Sequence, residues 1–185
     1  FRQFERHIVE DRLKAGFVNS AGDDVDGFLK FSISVQNRRK SRVGLALENH
    51  LEEVFCEQGT RFVRGAKTEN RAKPDFLFPG IEEYHDETFP DAHLAMLGVK
   101  STCKDRWRQI LPEADRIREK HLLTLEPGIS ENQTAEMQAL DVQLVLPRSL
   151  HETYRPAQQG WLMNLEEFLK LVNERDKNPD PVHSC

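Results

Sequence analysis

Leu94-Ala-Met-Leu-Gly-Val-Lys-Ser-Thr-Cys-Lys-Asp-Arg-Trp-Arg108 is the stretch on which the reading of this chain turns. Leu94 to Val99 form an unbroken apolar run, short enough for a strand buried on both faces. The run stops at Lys100. An unpaired buried ammonium is costly, so a lysine at the mouth of such a strand needs an anion, either a carboxylate or a phosphate. Upstream, Lys73-Pro74-Asp75 precedes a second apolar strand candidate, Phe76-Leu77-Phe78. Pro74 favours an extended residue before it and marks a boundary just before Asp75.

The rest of the chain is read outward from these two strands. Scattered apolar positions at Phe4, Ile8, Val9 and Leu13 suit a helix in the first twenty residues. Residues 21–24 read as a loop, and Val25 to Ser34 as the start of another helix. Ser41 stands where an N-cap would, before the stripe Val43, Leu47, Leu51, Val54 and Phe55, with Gly59 as the natural end. Glu48 and Glu52 lie on one flank of that stripe. Phe62 and Val63 suggest a short strand, and the acidic segment 81–91 an exposed excursion. Pro112 is placed in the first turn of a helix, with Glu113 directly after it. Leu122–Leu125 and Val142–Leu146 are further strand candidates. Asn164-Leu-Glu-Glu167 opens a last helix, running to about Arg175, with a capping-box pattern. Helices alternating with buried strands predict an α/β fold with a mixed central β-sheet flanked by helices.

Composition bounds the partners. With 185 residues, 38% hydrophobic and 31% charged, the chain suits one well-buried domain over residues 1–175, followed by a disordered tail at 176–185. A formal net charge of −5 argues against generic adhesion to nucleic acid, so any such partner must be met by local clusters. Three exist: Arg38, Arg39, Lys40 and Arg42; Arg61, Arg64, Lys67, Arg71 and Lys73; and the run from Lys100 to Arg108. Cys56, Cys103 and Cys185 form no CxxC and support neither a disulfide framework nor a structural zinc site. No apolar segment is long enough to span a membrane and no signal peptide opens the chain, so a cytoplasmic, reducing location is expected. The first residue is Phe1 rather than methionine, which suggests a fragment or processed product.

An aspartate on one strand and a lysine on its neighbour form the skeleton of a Mg²⁺-dependent phosphodiester-hydrolysing site. Mg²⁺ takes oxygen ligands, and a cation is wanted near the attacking water or the scissile phosphate. Asp75 offers the first and Lys100 the second. The usual pattern, PD followed by (D/E)xK, also requires an acid two residues before the lysine, where this chain has Gly98. Two other acids could replace it: Glu113, beyond the lysine strand, and Glu48, on the amphipathic helix. Nucleophilic hydrolysis is unsupported, because no histidine pairs recognisably with Cys103 or with a serine elbow.

Four pieces together are more specific: Asn37-Arg-Arg-Lys-Ser-Arg-Val-Gly44 before Glu48, Lys73-Pro-Asp75, Lys100-Ser-Thr-Cys-Lys-Asp-Arg-Trp107, and Glu113. With these the chain resembles the EcoRII-type catalytic domains, PD-(D/E)xK restriction endonucleases of the group that reads CC/GG-containing sites. In that group the second acid is displaced from the lysine strand, as Gly98 with Glu113 would be here. The resemblance implies a restriction-endonuclease-like fold, Asp75 and Glu113 as Mg²⁺ ligands, Lys100 at the scissile phosphate and Glu48 in support. It implies that Lys104, Asp105 and Arg106 read bases; lysine and arginine can donate to guanine, and aspartate can accept from cytosine. Arg38, Arg39 and Arg42 are assigned to the DNA backbone or to a dimer interface. The implied enzyme is a homodimer that cuts both strands of double-stranded DNA at 5′-CCWGG, before the first C, with the central bases flipped out. Phe1, Arg2, Phe4 and Tyr84 are candidate platforms for a flipped base. An amino-terminal effector domain, absent from this chain, is also implied. The alternatives are another PD-(D/E)xK nuclease, acting in repair or on junctions, and a non-catalytic DNA-binding domain of the same fold.

Overall fold

A computed structural model describes residues 2–19, 22–104 and 106–176; the side chains of residues 2–4, 19, 22, 23 and 70 are excepted. The chain divides into two compact units, Phe1–Arg42 and Val43–Cys185.

In the first unit, α1 (Arg2–Ala15) leads into a two-residue hairpin, β1 (Val18–Asn19) against β2 (Gly22–Asp23), and then into α2 (Val25–Glu57). Phe17 packs on Phe28 and Phe31, with ring centroids 5.4 and 5.6 Å away. Asp24 caps α2, its carboxylate accepting from the Gly27 N–H at 2.8 Å. The helix then continues through Ser41 to Glu57. The two helices expected on either side of residues 35–40 are therefore one, and Ser41 is an interior residue rather than an N-cap. Gly59, at φ 63°, ends it as expected.

The second unit is built on a five-stranded sheet. In chain order its elements are β3 (Val63–Arg64), β4 (Phe76–Phe78), α3 (Ile81–His85), β5 (Ala95–Lys100), β6 (Lys120–Thr124), α4 (Glu131–Ala139), β7 (Val142–Val145), α5 (Pro156–Gln159) and α6 (Leu165–Arg175). The strands lie in the order β3-β4-β5-β6-β7, with the first two pairings antiparallel and the last two parallel. This is the mixed sheet anticipated from the alternation. Every residue of β5 before Lys100 is buried, because both faces of the sheet are covered. On one face Phe76, Phe78, Leu97, Val99 and Leu123 pack with Leu51 and Phe55 of α2 and with Phe168 and Val172 of α6. On the other, Leu77, Met96, Leu122 and Leu144 pack with Tyr84, Trp107, Ile110 and Met137. Side chains alternate along a strand, so Asp75 and Lys100 belong to this second face.

Three local details refine, overturn or add to the expectations. Segment 81–91 is largely exposed, as expected, but it is anchored at its start by α3, whose Tyr84 is fully buried. Residues 112–120 form no helix; a 3₁₀ turn at Trp107–Ile110 runs into irregular chain, so Pro112 starts nothing. Helix α4 has no counterpart among the expected elements. Of the expected tail, residues 177–185 lie outside the described residues, while the Asp176 carboxylate accepts from Arg61 at 3.2 Å.

Candidate active site

Asp75 stands one residue before β4, whose Phe76 pairs with Leu97 on β5. That register carries its carboxylate to the end of the lysine strand. Oδ2 accepts from the Val99 N–H at 2.6 Å and from the Lys100 ammonium at 2.8 Å. The anion that Lys100 demanded is thus Asp75.

Glu113 arrives by a different route, through the turn after Trp107–Ile110, its N–H donating to the Ile110 carbonyl at 3.1 Å. Its Oε2 is buried and has no hydrogen-bond partner. Burial lifts the carboxyl to a pKa of about 7; Lys100 and Lys120 draw it down, while Asp75 pushes it further up. Asp75, Lys100 and Glu113 therefore act on one another in one neighbourhood, although they come from three separate parts of the chain. Gly98 explains the displaced acid. A Cβ there would stand 2.6 Å from Cγ2 of Ile110, so the space that a residue-98 carboxylate would use is already filled.

The other expected residues have surroundings of their own. The Glu48 carboxylate accepts from Arg64 at 2.8 Å, and Arg64 also reaches Glu52 at 2.5 Å and Asn49 at 2.8 Å. Lys104 and Arg106 are exposed; Asp105 lies outside the described residues. Arg39 and Arg42 pair with Glu5 at 3.1 and 3.3 Å, and Arg38 donates to the Ser34 carbonyl at 3.4 Å. Tyr84 offers no stacking surface, being buried with its hydroxyl bound to Glu69 at 2.6 Å. Phe1, and the side chains of Arg2 and Phe4, lie outside the described residues.

Two residues near the site were not anticipated. Glu126, only 7% exposed, accepts from the N–H groups of Cys103 and Lys104 at 2.7 and 3.1 Å. It thereby holds the loop that follows Lys100. Its only signal in the sequence is an acid directly behind the apolar run Leu122–Leu125. Lys120 is the second: its ammonium donates to the carbonyls of Glu113 and Ala114 at 2.5 and 2.7 Å.

Among the described residues no three His, Cys, Asp or Glu side chains gather to hold a metal ion. Two carboxylates, one carrying an orphaned buried oxygen, nevertheless fit Mg²⁺, which keeps several waters and takes one or two protein carboxylates beside substrate phosphates.

A mixed sheet with an aspartate and a lysine at the join of two strands defines a class of fold, the restriction-endonuclease-like fold. Solved structures agree. Metal-depleted Ecl18kI in complex with uncleaved DNA matches with a TM-score of 0.73 at 20% identity, covering 100% of this chain and 68% of that one. Metal-depleted Ecl18kI in complex with uncleaved, modified DNA matches with a TM-score of 0.69 at 21% identity, covering 83% and 52%. The family model described as EcoRII C terminal matches residues 1–169, and the chain belongs to that family. The type II restriction enzyme EcoRII of Escherichia coli is 50% identical over 166 residues, which are 89% of this chain and 40% of that protein. The chain thus spans less than half the length of this relative.

Proposed function

We propose that this chain is a site-specific deoxyribonuclease domain that hydrolyses phosphodiester bonds of double-stranded DNA with Mg²⁺. The observation that carries the reading is the convergence of Asp75, Lys100 and Glu113 at the C-terminal end of β5, where residue 98 leaves no room for an acid. Asp75 and Glu113 would hold the Mg²⁺, which when bound supplies Lewis-acid stabilisation of the charge developing on the phosphate. Lys100 donates to a scissile phosphate oxygen or to the attacking water; Asp75 fixes the ammonium beforehand, so little reorganisation remains. Glu113, at a pKa of about 7, must lose its proton to become a ligand, and burial helps to exclude water around the reacting bond.

Membership in the EcoRII C-terminal family favours 5′-CCWGG as the site, with cleavage before the first C. The target would be duplex DNA; Ecl18kI, which shares the fold, is in complex with uncleaved DNA. Lys104, Asp105 and Arg106 would read base edges from a loop that begins at Lys100, so that recognition and cleavage share one segment. Glu48, held by Arg64, would support the site from α2, and Arg38, Arg39 and Arg42 would serve the DNA backbone or the dimer surface. The active form would be a homodimer, with the central bases flipped, and an amino-terminal effector domain would precede this segment. A cytoplasmic location fits such an enzyme; among the described residues no helix is long and apolar enough to cross a membrane.

The test is digestion of plasmid DNA with Mg²⁺, followed by sequencing of the fragment ends. Discrete ends before the first C of CCWGG are expected, and Asp75→Ala should abolish cutting while retaining DNA binding. Ragged ends would point instead to another nuclease of this fold, and cutting by Asp75→Ala would refute the site.

A further inference from the structure

Lys120 opens β6 with 5% of its surface exposed, and among the described residues no carboxylate forms an ion pair with it. A buried ammonium in that position is costly unless its donors are used. They are used on two successive carbonyls, those of Glu113 and Ala114, at 2.5 and 2.7 Å. The same turn is held from its other side. The Ala114 N–H donates to the Thr68 hydroxyl at 3.4 Å, the Asp115 N–H to the Glu69 carboxylate at 3.3 Å, and the Arg116 N–H to the Tyr84 hydroxyl at 3.3 Å. Five backbone groups within residues 113–116 are therefore satisfied by side chains. Ala114 sits at φ 52°, a left-handed conformation that a residue with a Cβ adopts only when its surroundings impose it.

We infer that Lys120 is a positioning residue, whose ammonium shapes the 113–114 turn so that the Glu113 carboxylate faces Asp75 and Lys100. This rests on the reading of Glu113 as a metal ligand. It adds that a lysine on the next strand, outside every recognisable motif, sets that ligand's aim. Groups that orient a metal ligand typically change metal affinity by about 10–100-fold when removed. A lysine that merely satisfied a loop would affect stability alone.

The experiment uses this chain with Lys120→Met, which keeps the stem and removes the ammonium. Two quantities are read: the rise in melting temperature on adding Mg²⁺ to the protein bound to a duplex oligonucleotide, and the dependence of cleavage on Mg²⁺ concentration. The inference expects both Mg²⁺ midpoints to rise by about tenfold or more. The saturating rate should stay within a few-fold of the unaltered chain, and metal-free duplex binding should not change. Unchanged midpoints in a folded variant overturn it. So does a uniform fall in rate, duplex binding and Mg²⁺ response that tracks the loss of melting temperature. If Lys120→Met does not fold, Glu69→Gln, which loosens the same turn at Asp115, is read in the same way; again an unchanged midpoint overturns it. Glu113→Gln separates the two levels. Wild-type cleavage by that variant sinks the metal-ligand reading itself. Its inactivity beside an unaltered Lys120→Met sinks only the role of Lys120.

Discussion

An idealised Cβ on Gly98 would stand 2.6 Å from Cγ2 of Ile110 and 3.6 Å from Cδ1 of Leu122, both fully buried side chains. Gly98→Asp should therefore destabilise the fold by at least the ~1–3 kcal/mol typical of overpacking, with a buried charge in addition. Urea denaturation measures this, and a change near zero would show that Ile110 yields. Two titrating groups make opposite demands on pH. Glu113 has a pKa of about 7 in the fold against an ordinary 4.5, so between these values the folded protein keeps a proton that the unfolded chain has lost. Stability from this group falls as pH rises across that window. His121, fully buried beside Phe168 with Nε2 3.8 Å from a Glu119 carboxylate oxygen, is depressed by burial to about 4 from 6.5, with Glu119 and the Met96 backbone opposing and Arg175 reinforcing the shift. Here the unfolded chain binds the extra proton, so stability is lost as pH falls from 6.5 toward 4. In metal-free melting curves the unaltered chain should lose ground to Glu113→Gln as pH rises. It should gain ground on His121→Leu over the same range, and parallel curves would contradict either assignment. The sequence showed Asp75 and Lys100 through their neighbours, Pro74 and an apolar run. It could not show why position 98 is empty, because Ile110 reaches it only through the fold. Lys120 and Glu126 were invisible because each acts on backbone groups, nearby in sequence for Lys120 and distant for Glu126, that no residue pattern marks.

Elements were legible where burial dictates pattern. Strand β5, buried on both faces, had to read as a continuous apolar run, as did β4; β7 showed through its apolar residues around Gln143, and β6 only from Leu122 on, because it opens with the buried polar pair Lys120 and His121. Helix α6 was legible from chemistry. Asn164 accepts from the Glu167 N–H at 3.0 Å, and Glu167 accepts in return from the Asn164 N–H at 2.8 Å. Asn164→Ala should cost about 1 kcal/mol in chemical denaturation, because it orphans a helix N-terminal donor. A cost below the error of the measurement would mean that water replaces the cap. Ser41 misled because serine marks a helix start only if the preceding residues leave the helix. Here Asp24 had already capped α2, and no proline follows to break it. Helix α4 escaped notice because among its nine residues only Thr134 and Met137 are buried, too few to write a periodic stripe. Segment 81–91 looked solvated from its acids, and most of them are exposed; its tether to the fold was what the sequence did not show. Arg116 draws it inward, donating to the carbonyls of Tyr84, Asp86 and Phe89 and to the Asp91 carboxylate.

At the scale of the molecule, a net charge of −5 leaves local cations to meet DNA, and several of those that looked available are already engaged. Arg61 pairs with Glu83 and Asp176, Arg64 with Glu48 and Glu52, and Arg39 with Glu5. Lys104, 75% exposed on the loop behind Lys100, keeps its ammonium only loosely associated with Glu126 at 3.7 Å. The chain has one Asp75–Lys100–Glu113 set, and in the proposed function one set would attack one phosphodiester at a time. Cutting both strands in a single encounter therefore requires two chains, which is what the proposed homodimer supplies. Mixing supplies the measurement. When a fixed amount of the unaltered chain is equilibrated with an increasing excess of Asp75→Ala, most active chains end up beside an inactive partner. Plasmid with a single target should then accumulate as nicked circles, whereas the unaltered chain alone should linearise it with little nicked intermediate. A chain that works alone and cuts twice would instead be slowed by competition for the target, with its ratio of linear to nicked product unchanged. That outcome would remove the homodimer from the proposal while leaving the chemistry at Asp75, Lys100 and Glu113 intact.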